Sequence, residues 1–76
     1  MSNLDVVKAW QSGVSARSMN MHTDGQNLFS YDLIIGIAED GELKIRDYTG
    51  TACISVTTSK HVNMAVKATG ATRLKM

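Results

Sequence analysis

Hydroxyl and basic side chains lie together in one short stretch of the sequence, residues 57–61. This stretch, Thr-Thr-Ser-Lys-His, holds three hydroxyl groups, one lysine and one of the two histidines. Apolar residues at helical spacing follow it and predict a helix from about Ser59 to Ala68. Because the first turn of a helix presents free backbone N–H groups, a phosphate or carboxylate could bind there. The candidate anion-binding residues are Thr57, Thr58, Ser59, Lys60, His61, Lys67 and Arg73.

The same stretch also has a purely structural interpretation. Thr58 or Ser59 can cap the helix, which leaves Lys60 in solvent and packs His61 against a sheet. A phosphate-binding loop would need a glycine-rich segment that ends in Lys-Ser or Lys-Thr, and the sequence has none. Anion binding and helix capping are therefore both open interpretations of this stretch.

Three side chains could ligate a metal or take part in nucleophilic chemistry: His22, Cys53 and His61. No two of them have the spacing of a zinc finger. Cys53 and His61 could pair as nucleophile and base, but no third residue that would orient the histidine is evident. A lone cysteine is more typical of a small buried hydrophobic residue in a reducing compartment. We therefore expect no catalytic residues, no metal and no cofactor, and we predict that the protein is not an enzyme.

A short helix and a first strand are predicted at the start of the chain. Residues 2–13 are typical of a helix that ends at Gly13. Trp10 is the only tryptophan and is expected in the core. A loosely alternating strand follows over residues 14–23, and Asp24-Gly25 predicts a tight turn after it.

The clearest predicted strand runs over residues 28–38. Its core-facing side chains are expected to be Phe29, Tyr31, Leu33, Ile35 and Ile37. The other side of the strand is partly apolar as well, so we expect a helix or a second copy of the chain to cover it. The candidate interface residues on that side are Ile34, Gly36 and Ala38.

Two more strands complete the predicted sheet. Residues 42–48 follow a turn at Asp40-Gly41, and residues 52–57 follow a turn at Thr49-Gly50. Short turns between successive strands favour an antiparallel meander. The predicted fold class is α+β, with an antiparallel meander of three to five strands, one C-terminal helix packed on the sheet and a possible short N-terminal helix.

The length of 76 residues predicts a single small domain over residues 1–76. A chain of this size buries only about 60% of the surface that its unfolded form exposes, so self-association would add useful stability. The longest apolar run is too short for a membrane-spanning helix, and the first residues lack the basic and then apolar order of a secretory signal. We expect a cytoplasmic protein that does not interact with membranes.

The net charge of +1 hides an uneven distribution of charges. Six of the seven acidic residues lie within residues 24–47, whereas residues 48–76 contain lysine and arginine but no acid. Such polarity can steer a partner or orient head-to-tail association between copies. Two ordinary solvated faces would produce the same pattern.

Several short pieces of the sequence occur in an order typical of one protein family. They are Trp10-Gln11-Ser12-Gly13, then Ala16, Ser18 and Asn20, then Thr23-Asp24-Gly25 with Leu28 and Ser30-Tyr31, and finally Thr57-Thr58-Ser59-Lys60-His61. The pattern covers about residues 10–61 and resembles a family of small uncharacterised proteins encoded by bacteriophages and bacteria. The resemblance implies a phage-type accessory protein, and it assigns no catalytic or ligand-binding residue.

We therefore expect a non-enzymatic protein that acts by macromolecular interaction in a bacterial cell and forms a homo-oligomer, with a host or phage protein as a further possible partner. The alternative is a small module that binds nucleic acid or a phosphorylated ligand through the helix start and the basic tail, which includes Lys75. A second possible nucleic-acid surface combines aromatic residues with basic ones, namely Phe29, Tyr31, Tyr48, Lys44 and Arg46.

Overall fold

The computed structural model describes residues 2–47 and 56–75. Within these residues, two helices and six strands follow one another: α1 (Asn3–Gln11), β1 (Ser15–Arg17), β2 (Met21–Asp24), β3 (Asn27–Ser30), β4 (Leu33–Glu39), β5 (Glu42–Asp47), α2 (Val56–Thr69) and β6 (Thr72–Lys75). The predicted α+β class, with a short N-terminal helix and a C-terminal helix, is confirmed.

All six strands belong to one sheet, and their order in the sheet is their order in the chain. Each neighbouring pair from β1 to β5 is antiparallel, so the predicted meander is confirmed. The sixth strand departs from it, because β6 pairs with β5 in parallel. A parallel neighbour needs a crossover connection, and α2 lies in that connection.

Local sequence signals account for α1. The Ser2 hydroxyl accepts a hydrogen bond from the Asp5 N–H, and the Asp5 carboxylate accepts one from the Ser2 N–H, which forms a capping box. These bonds hold the pKa of Asp5 below its usual value. Trp10 is fully buried, and its indole N–H donates to the Gln26 carbonyl over 2.8 Å. The predicted helix and the predicted core position of Trp10 are both confirmed.

The predicted strand over residues 28–38 is wrong, because the chain turns back in its middle. It forms β3 and β4, joined by a turn at Tyr31-Asp32. Tyr31 adopts a φ of +55°, and its N–H donates to the Asn20 carbonyl over 2.8 Å. A positive φ costs a bulky residue about 1–2 kcal/mol, which is why no turn is predicted there from the sequence. Tyr31 is 48% exposed, so the prediction that it is a core residue is wrong.

Two other boundaries also differ from the prediction. The strand expected over residues 14–23 is divided into β1 and β2 by a turn. Helix α2 begins at Val56, so Thr57 belongs to its first turn and not to a preceding strand. The rest of the predicted strand over 52–57, the turn at Thr49-Gly50, and the side chains of Tyr48 and Cys53 lie outside the described residues.

Both helices pack on the same face of the sheet, which we call the inner face. A Cβ built on Gly36 would lie 2.9 Å from Trp10 Cζ2, so this glycine lets the sheet and α1 approach closely. Ile45 of β5 and Val62 of α2 are fully buried in the same core. Among the described residues, the buried hydrophobic cluster is Val6, Val7, Trp10, Met21, Leu28, Ile35, Ile45, Val62, Ala65 and Ala71.

We call the opposite side of the sheet the outer face. Its side chains follow from the cross-strand register, and they are Ser15, Arg17, His22, Asp24, Asn27, Phe29, Ile34, Ile37, Glu39, Glu42, Lys44, Arg46, Thr72 and Leu74. Phe29, Ile34 and Ile37 are only half-buried and do not pack against the core cluster. No segment within residues 2–47 or 56–75 covers this face as the helices cover the inner one.

A β-bulge explains why the predicted sides of β4 are wrong. Phe29 pairs with Ile34 and Leu28 pairs with Gly36, so Ile35 is an extra residue in the register. Beyond the bulge, side chains alternate in the opposite sense. Of the candidate interface residues, only Ile34 is therefore on the outer face, whereas Gly36 and Ala38 face the core.

The turn at Tyr31-Asp32 and this bulge together redistribute the residues that were expected to face the core. Leu33 and Ile35 do lie on the inner face, whereas Phe29 and Ile37 lie on the outer face. Of the five side chains that a simple alternation assigns to the core, two therefore lie on the outer face and a third, Tyr31, is exposed in the turn.

Candidate functional site

A cluster of buried polar side chains surrounds His61, on the inner face where α2 meets β3. The side chain of Ser30 is fully buried, and Thr58 and His61 are each only 4% exposed. Ser30 Oγ lies 2.7 Å from His61 Nδ1 and donates to Thr58 Oγ1 over 3.1 Å. Thr58 and His61 are three residues apart in α2, so they project from the same side of the helix toward β3.

The cluster continues from α2 to the start of α1 and to the turn between β1 and β2. Asn3 Nδ2 lies 3.2 Å from His61 Nε2. The Ser18 hydroxyl donates to Asn3 Oδ1, and Ser18 Oγ accepts a hydrogen bond from the Met21 N–H over 3.2 Å. We call Asn3, Ser18, Ser30, Thr58 and His61 the His61 network; it joins segments that are up to 58 residues apart in the chain.

The hydrogen-bond partners of His61 indicate which ring nitrogen carries the proton. Because an amide nitrogen can only donate, Nε2 accepts from Asn3, and the ring proton lies on Nδ1. Nδ1 then donates to Ser30 Oγ, whose own proton goes to Thr58. Burial lowers the pKa of His61 below its usual value, since the charged form would lose hydration. The ring is therefore neutral at neutral pH.

The contact between Ser30 and His61 brings together the residue types of a nucleophile and its base. Its geometry favours a structural role instead. Ser30 has no exposed surface, and His61 donates to the serine rather than accepting its proton. Among the described residues, every buried side-chain nitrogen and oxygen has a hydrogen-bond partner. The His61 network thus satisfies polar groups that hold α1, α2 and the sheet together.

The structure does not bring the candidate anion-binding residues together. Thr58 and His61 face the protein interior, whereas Lys60 and Lys67 are exposed on the other side of α2. Thr57 and Ser59 are half-buried within the first turn. Arg73 of β6 is exposed and donates to Asn63 Oδ1 over 3.1 Å.

The exposed cations instead follow the length of α2. Residues seven apart lie on one side of a helix and are about 10.5 Å apart along its axis, which applies to Lys60 and Lys67. Asn63 lies between them and holds Arg73 beside the helix. We call Lys60, Asn63, Lys67 and Arg73 the α2 stripe.

A shallow cleft of about 240 Å³ opens beside the His61 network. It lies at the end of the sheet where the β1–β2 and β3–β4 turns meet, and its walls include Arg17, Asn20, His22 and Tyr31. The Tyr31 ring is tilted against His61, with 6.1 Å between ring centroids. The cleft is therefore lined both by Ser18 of the His61 network and by Arg17 and His22 of the outer face.

Aromatic and aliphatic groups lie next to each other on the outer face. The rings of His22 and Phe29 are stacked, with centroids 4.4 Å apart and planes within 8°. Ile34 is the next cross-strand neighbour of Phe29, and Ile37 follows further along β4. This half-exposed apolar group is suited to contact with another surface.

Charged groups on the outer face are separated along the strand direction. Arg17 and Arg46 lie toward the end that carries the cleft. Glu39 and Glu42 lie at the opposite end and are direct cross-strand partners. Lys44 lies between the two ends, with its Nζ 4.0 Å from Glu42 Oε2. The outer face therefore has a basic end and an acidic end.

Sequence reasoning missed three members of the His61 network: Asn3, Ser18 and Ser30. Single serines and asparagines are common on exposed surfaces, so their type alone does not indicate burial. One signal was present, because Ser18, Ser30 and the 57–61 stretch all belong to the family-like pattern.

Comparisons with known proteins return no relative. No family model, no curated protein and no solved structure matches the chain. Within the described part of the chain, no three His, Cys, Asp or Glu residues are placed to hold a metal ion. None of its described helices is long and apolar enough to cross a membrane. Any functional conclusion must therefore come from the surfaces themselves.

Proposed function

We propose that the protein is a non-enzymatic interaction module that binds a macromolecular partner through its outer face. One observation carries the proposal: both helices pack on the inner face, which leaves Phe29, Ile34 and Ile37 half-exposed on the other side of the described sheet. Clustered apolar groups rimmed by charges are typical of protein-binding surfaces.

The non-enzymatic part of the proposal is supported by the His61 network. Its serine is fully buried and its histidine is 4% exposed, and the two are hydrogen-bonded to each other, which leaves a substrate almost no surface to reach. The setting, a phage accessory protein that acts inside a bacterial cell, rests on the sequence resemblance. Homo-oligomer formation belongs to the same proposal, since the outer face is equally available to another copy.

A second candidate function is the binding of nucleic acid or a phosphorylated ligand through the α2 stripe. It is favoured by the exposure of Lys60 and Lys67 on one side of α2 and by the position of Arg73 beside them. Such binding would weaken as salt concentration rises. The stripe and the outer face are on opposite sides of the molecule, so substitutions can separate the two functions.

Affinity capture from a bacterial lysate tests the proposal. The tagged wild type is compared with Ile34→Asp, which places a charge on the outer face, and with a Lys60→Ala/Lys67→Ala variant, which neutralises the α2 stripe. Mass spectrometry and nucleic-acid staining identify what is bound.

We expect a macromolecule that the wild type and the Lys60→Ala/Lys67→Ala variant retain and that Ile34→Asp loses. Circular dichroism of each variant shows that it is folded. Capture of nucleic acid that only the lysine variant loses would replace the proposal with the second candidate. A partner retained equally by all three proteins would also contradict it.

A further inference from the structure

We infer that the outer face binds an acidic peptide segment of a partner protein, laid across the strands, with a carboxylate at each end of a short apolar stretch. This inference rests on the proposed function, because it names the chemistry of the partner that the same face takes. It follows from one row of side chains that crosses the sheet near its basic end.

The row consists of outer-face side chains that are neighbours on successive strands. Cross-strand pairing joins its members on β1 to β4, and again on β5 and β6. Ile45 of β5 pairs with Gly36 of β4. The bulge then brings Ile34 next to the residue that follows Ile45. We call this set the outer row, and in sheet order it is Arg17, His22, Phe29, Ile34, Arg46 and Leu74.

Two arginines of the outer row enclose its apolar groups. Arg17 is exposed, and Arg46 is half-buried. The ion pair among residues 2–47 and 56–75 joins Lys44 and Glu42, so neither arginine has an acidic partner in this part of the chain. Because a guanidinium can donate two parallel hydrogen bonds to a carboxylate, each arginine is suited to an acidic side chain of a partner.

A path across the strands meets these arginines without meeting an acid, whereas a path along a strand does not. On β5, Arg46 is followed on the same face by Lys44 and then by Glu42, which is about 13 Å from the arginine. A partner laid along β5 would therefore meet both signs of charge. The outer row offers an acidic partner positive charge alone.

The two acids closest to the outer row leave this path open. Asp24 lies in the neighbouring row, but its carboxylate accepts hydrogen bonds from the backbone N–H groups of Gln26 and Asn27, at 2.9 and 2.7 Å. Those bonds direct the carboxylate toward the β2–β3 turn and keep its pKa below the usual value. Asp32 is exposed in the β3–β4 turn, beyond the end of the row.

The distance between the arginines sets the spacing of the acids in the peptide. Arg17 and Arg46 are four strands apart, which corresponds to about 19 Å at about 4.8 Å per strand. An extended peptide advances about 3.3 Å per residue, so side chains six residues apart on one side of it are separated by about 20 Å. The intervening side chains on that side lie over Phe29 and Ile34. The row therefore fits the pattern acid-x-apolar-x-apolar-x-acid.

The outer row is less suited to single-stranded nucleic acid. Such a ligand carries a phosphate on every nucleotide and gains affinity from bases that stack on open aromatic faces. Between its two arginines, the row has no lysine or arginine for the intervening phosphates. His22 also covers one face of the Phe29 ring, with the ring centroids 4.4 Å apart. A ligand with charge only at its two ends matches this arrangement better.

Selection from a library of random peptides tests the inference on the purified full chain. Peptides of about twelve residues are long enough to cross the row. The enriched peptides are labelled and titrated by fluorescence anisotropy at low and high salt, beside an oligothymidylate of similar length. Sedimentation velocity of the unliganded protein at the same concentration shows whether a second copy already covers the face.

The variants are Arg17→Glu, Arg46→Glu and the double variant Arg17→Glu/Arg46→Glu. Lys67→Glu is the matched control, because it makes the same change of charge on α2, away from the outer face. Circular dichroism establishes that each variant is folded. A version of the best peptide with lysine in place of its two flanking acids completes the set.

We expect the enriched peptides to carry two acids that flank apolar residues, and to bind more tightly than the oligothymidylate. Each single arginine variant should raise the dissociation constant at least about tenfold, since it places like charges opposite each other, whereas Lys67→Glu should not change it. The double variant should prefer the lysine version of the peptide, because every contact again joins opposite charges.

The inference is overturned by enriched peptides without flanking acids, by arginine variants that bind them like the wild type, or by a folded double variant that does not prefer the lysine version. Tighter binding of the oligothymidylate, or a dimer that Arg46→Glu disperses, would replace the acidic peptide with nucleic acid or a second copy. A library that yields no binder, while Ile34→Asp still loses a partner captured from lysate, would remove the acidic peptide and leave the proposed function intact.

Discussion

The two faces of the sheet use the same kinds of side chain in different ways. On the inner face, Gly36 leaves no space for a Cβ beneath Trp10, and the His61 network is hydrogen-bonded throughout and buried at Ser30, Thr58 and His61. On the outer face, Phe29 and Ile34 are half-exposed, and the charges separate into an acidic and a basic end. Close packing thus distinguishes the inner face, and the separation of opposite charges distinguishes the outer face.

Because of this difference, we expect the stability of the protein and its association with a partner to depend on different residues. Tight packing makes the free energy of unfolding sensitive to single atoms, whereas a half-exposed surface tolerates substitution in the folded monomer. We therefore expect substitutions on the inner face to lower stability and substitutions on the outer face to alter binding.

The largest expected effect on the inner face comes from Trp10→Ala. Loss of a buried tryptophan typically costs about 3–5 kcal/mol, a large part of the stability of a small domain. Urea denaturation followed by circular dichroism measures it, since the variant lacks the only tryptophan fluorophore. Trp10→Phe, which keeps a ring but loses the bond to Gln26, should cost less. Equal midpoints for Trp10→Ala and the wild type would show that the inner face is not tightly packed.

Gly36→Ala should cost about 1–3 kcal/mol, because the added methyl group would meet its neighbours at sub-van der Waals distance. The closest atoms are Trp10 Cζ2 at 2.9 Å and Ile45 Cδ1 at 3.1 Å. Ile45→Val removes the second of these atoms. A double-mutant cycle in urea should therefore show that Ile45→Val costs less beside Gly36→Ala than in the wild type. Strict additivity would argue against crowding as the cause.

The His61 network makes stability depend on pH in the weakly acidic range. Because burial lowers the pKa of His61 in the folded protein, the unfolded chain binds the proton first as pH falls. The stabilisation is complete above the ordinary histidine value of about 6.5 and declines below it, by at most about 1.4 kcal/mol per pH unit. Asp5 and Asp24, whose pKa values are lowered from 3.8, titrate at lower pH.

Urea denaturation at several pH values between 7.5 and 5 measures this dependence. The His61→Gln variant is the control, since it has no imidazole to protonate and should show a flatter profile than the wild type. The same slope in both proteins would show that another group is responsible.

The smallest expected effect on stability comes from the outer face. Ile34→Thr keeps a β-branched residue in β4 and should change the free energy of unfolding by less than about 1 kcal/mol. The same substitution should weaken association through the outer face, because it removes part of the apolar group formed by Phe29, Ile34 and Ile37. Sedimentation and urea denaturation of one preparation compare the two effects. A loss of stability as large as that of Gly36→Ala would place Ile34 in the core instead.

Elements with strong local signals could be predicted without the structure. The capping residues before α1 and the two Asp-Gly turns have conformational preferences that depend on few neighbours. At Asp40-Gly41, for example, both residues adopt positive φ, as expected for a two-residue hairpin turn. The α+β class follows from the change between strand and helix periods.

Elements that depend on distant contacts could not be predicted. The Tyr31 turn has no glycine, and the Asn20 carbonyl from another hairpin helps hold its positive φ. The extra residue at Ile35 reverses the sides of β4, so the expected interface residues Gly36 and Ala38 face the core. The anion-binding interpretation of Thr58 and His61 also changes, because both residues bond to Ser30 in the interior.

The sequence by itself determined the class of fold, the position of its two Asp-Gly turns and the place of Trp10, because these depend on period, backbone preference and side-chain size. Only the tertiary structure decided which side of each strand is buried, which polar residues meet at His61 and how charge is arranged on the outer face. Register and contacts between distant segments control these features, and one bulged residue is enough to reverse a face.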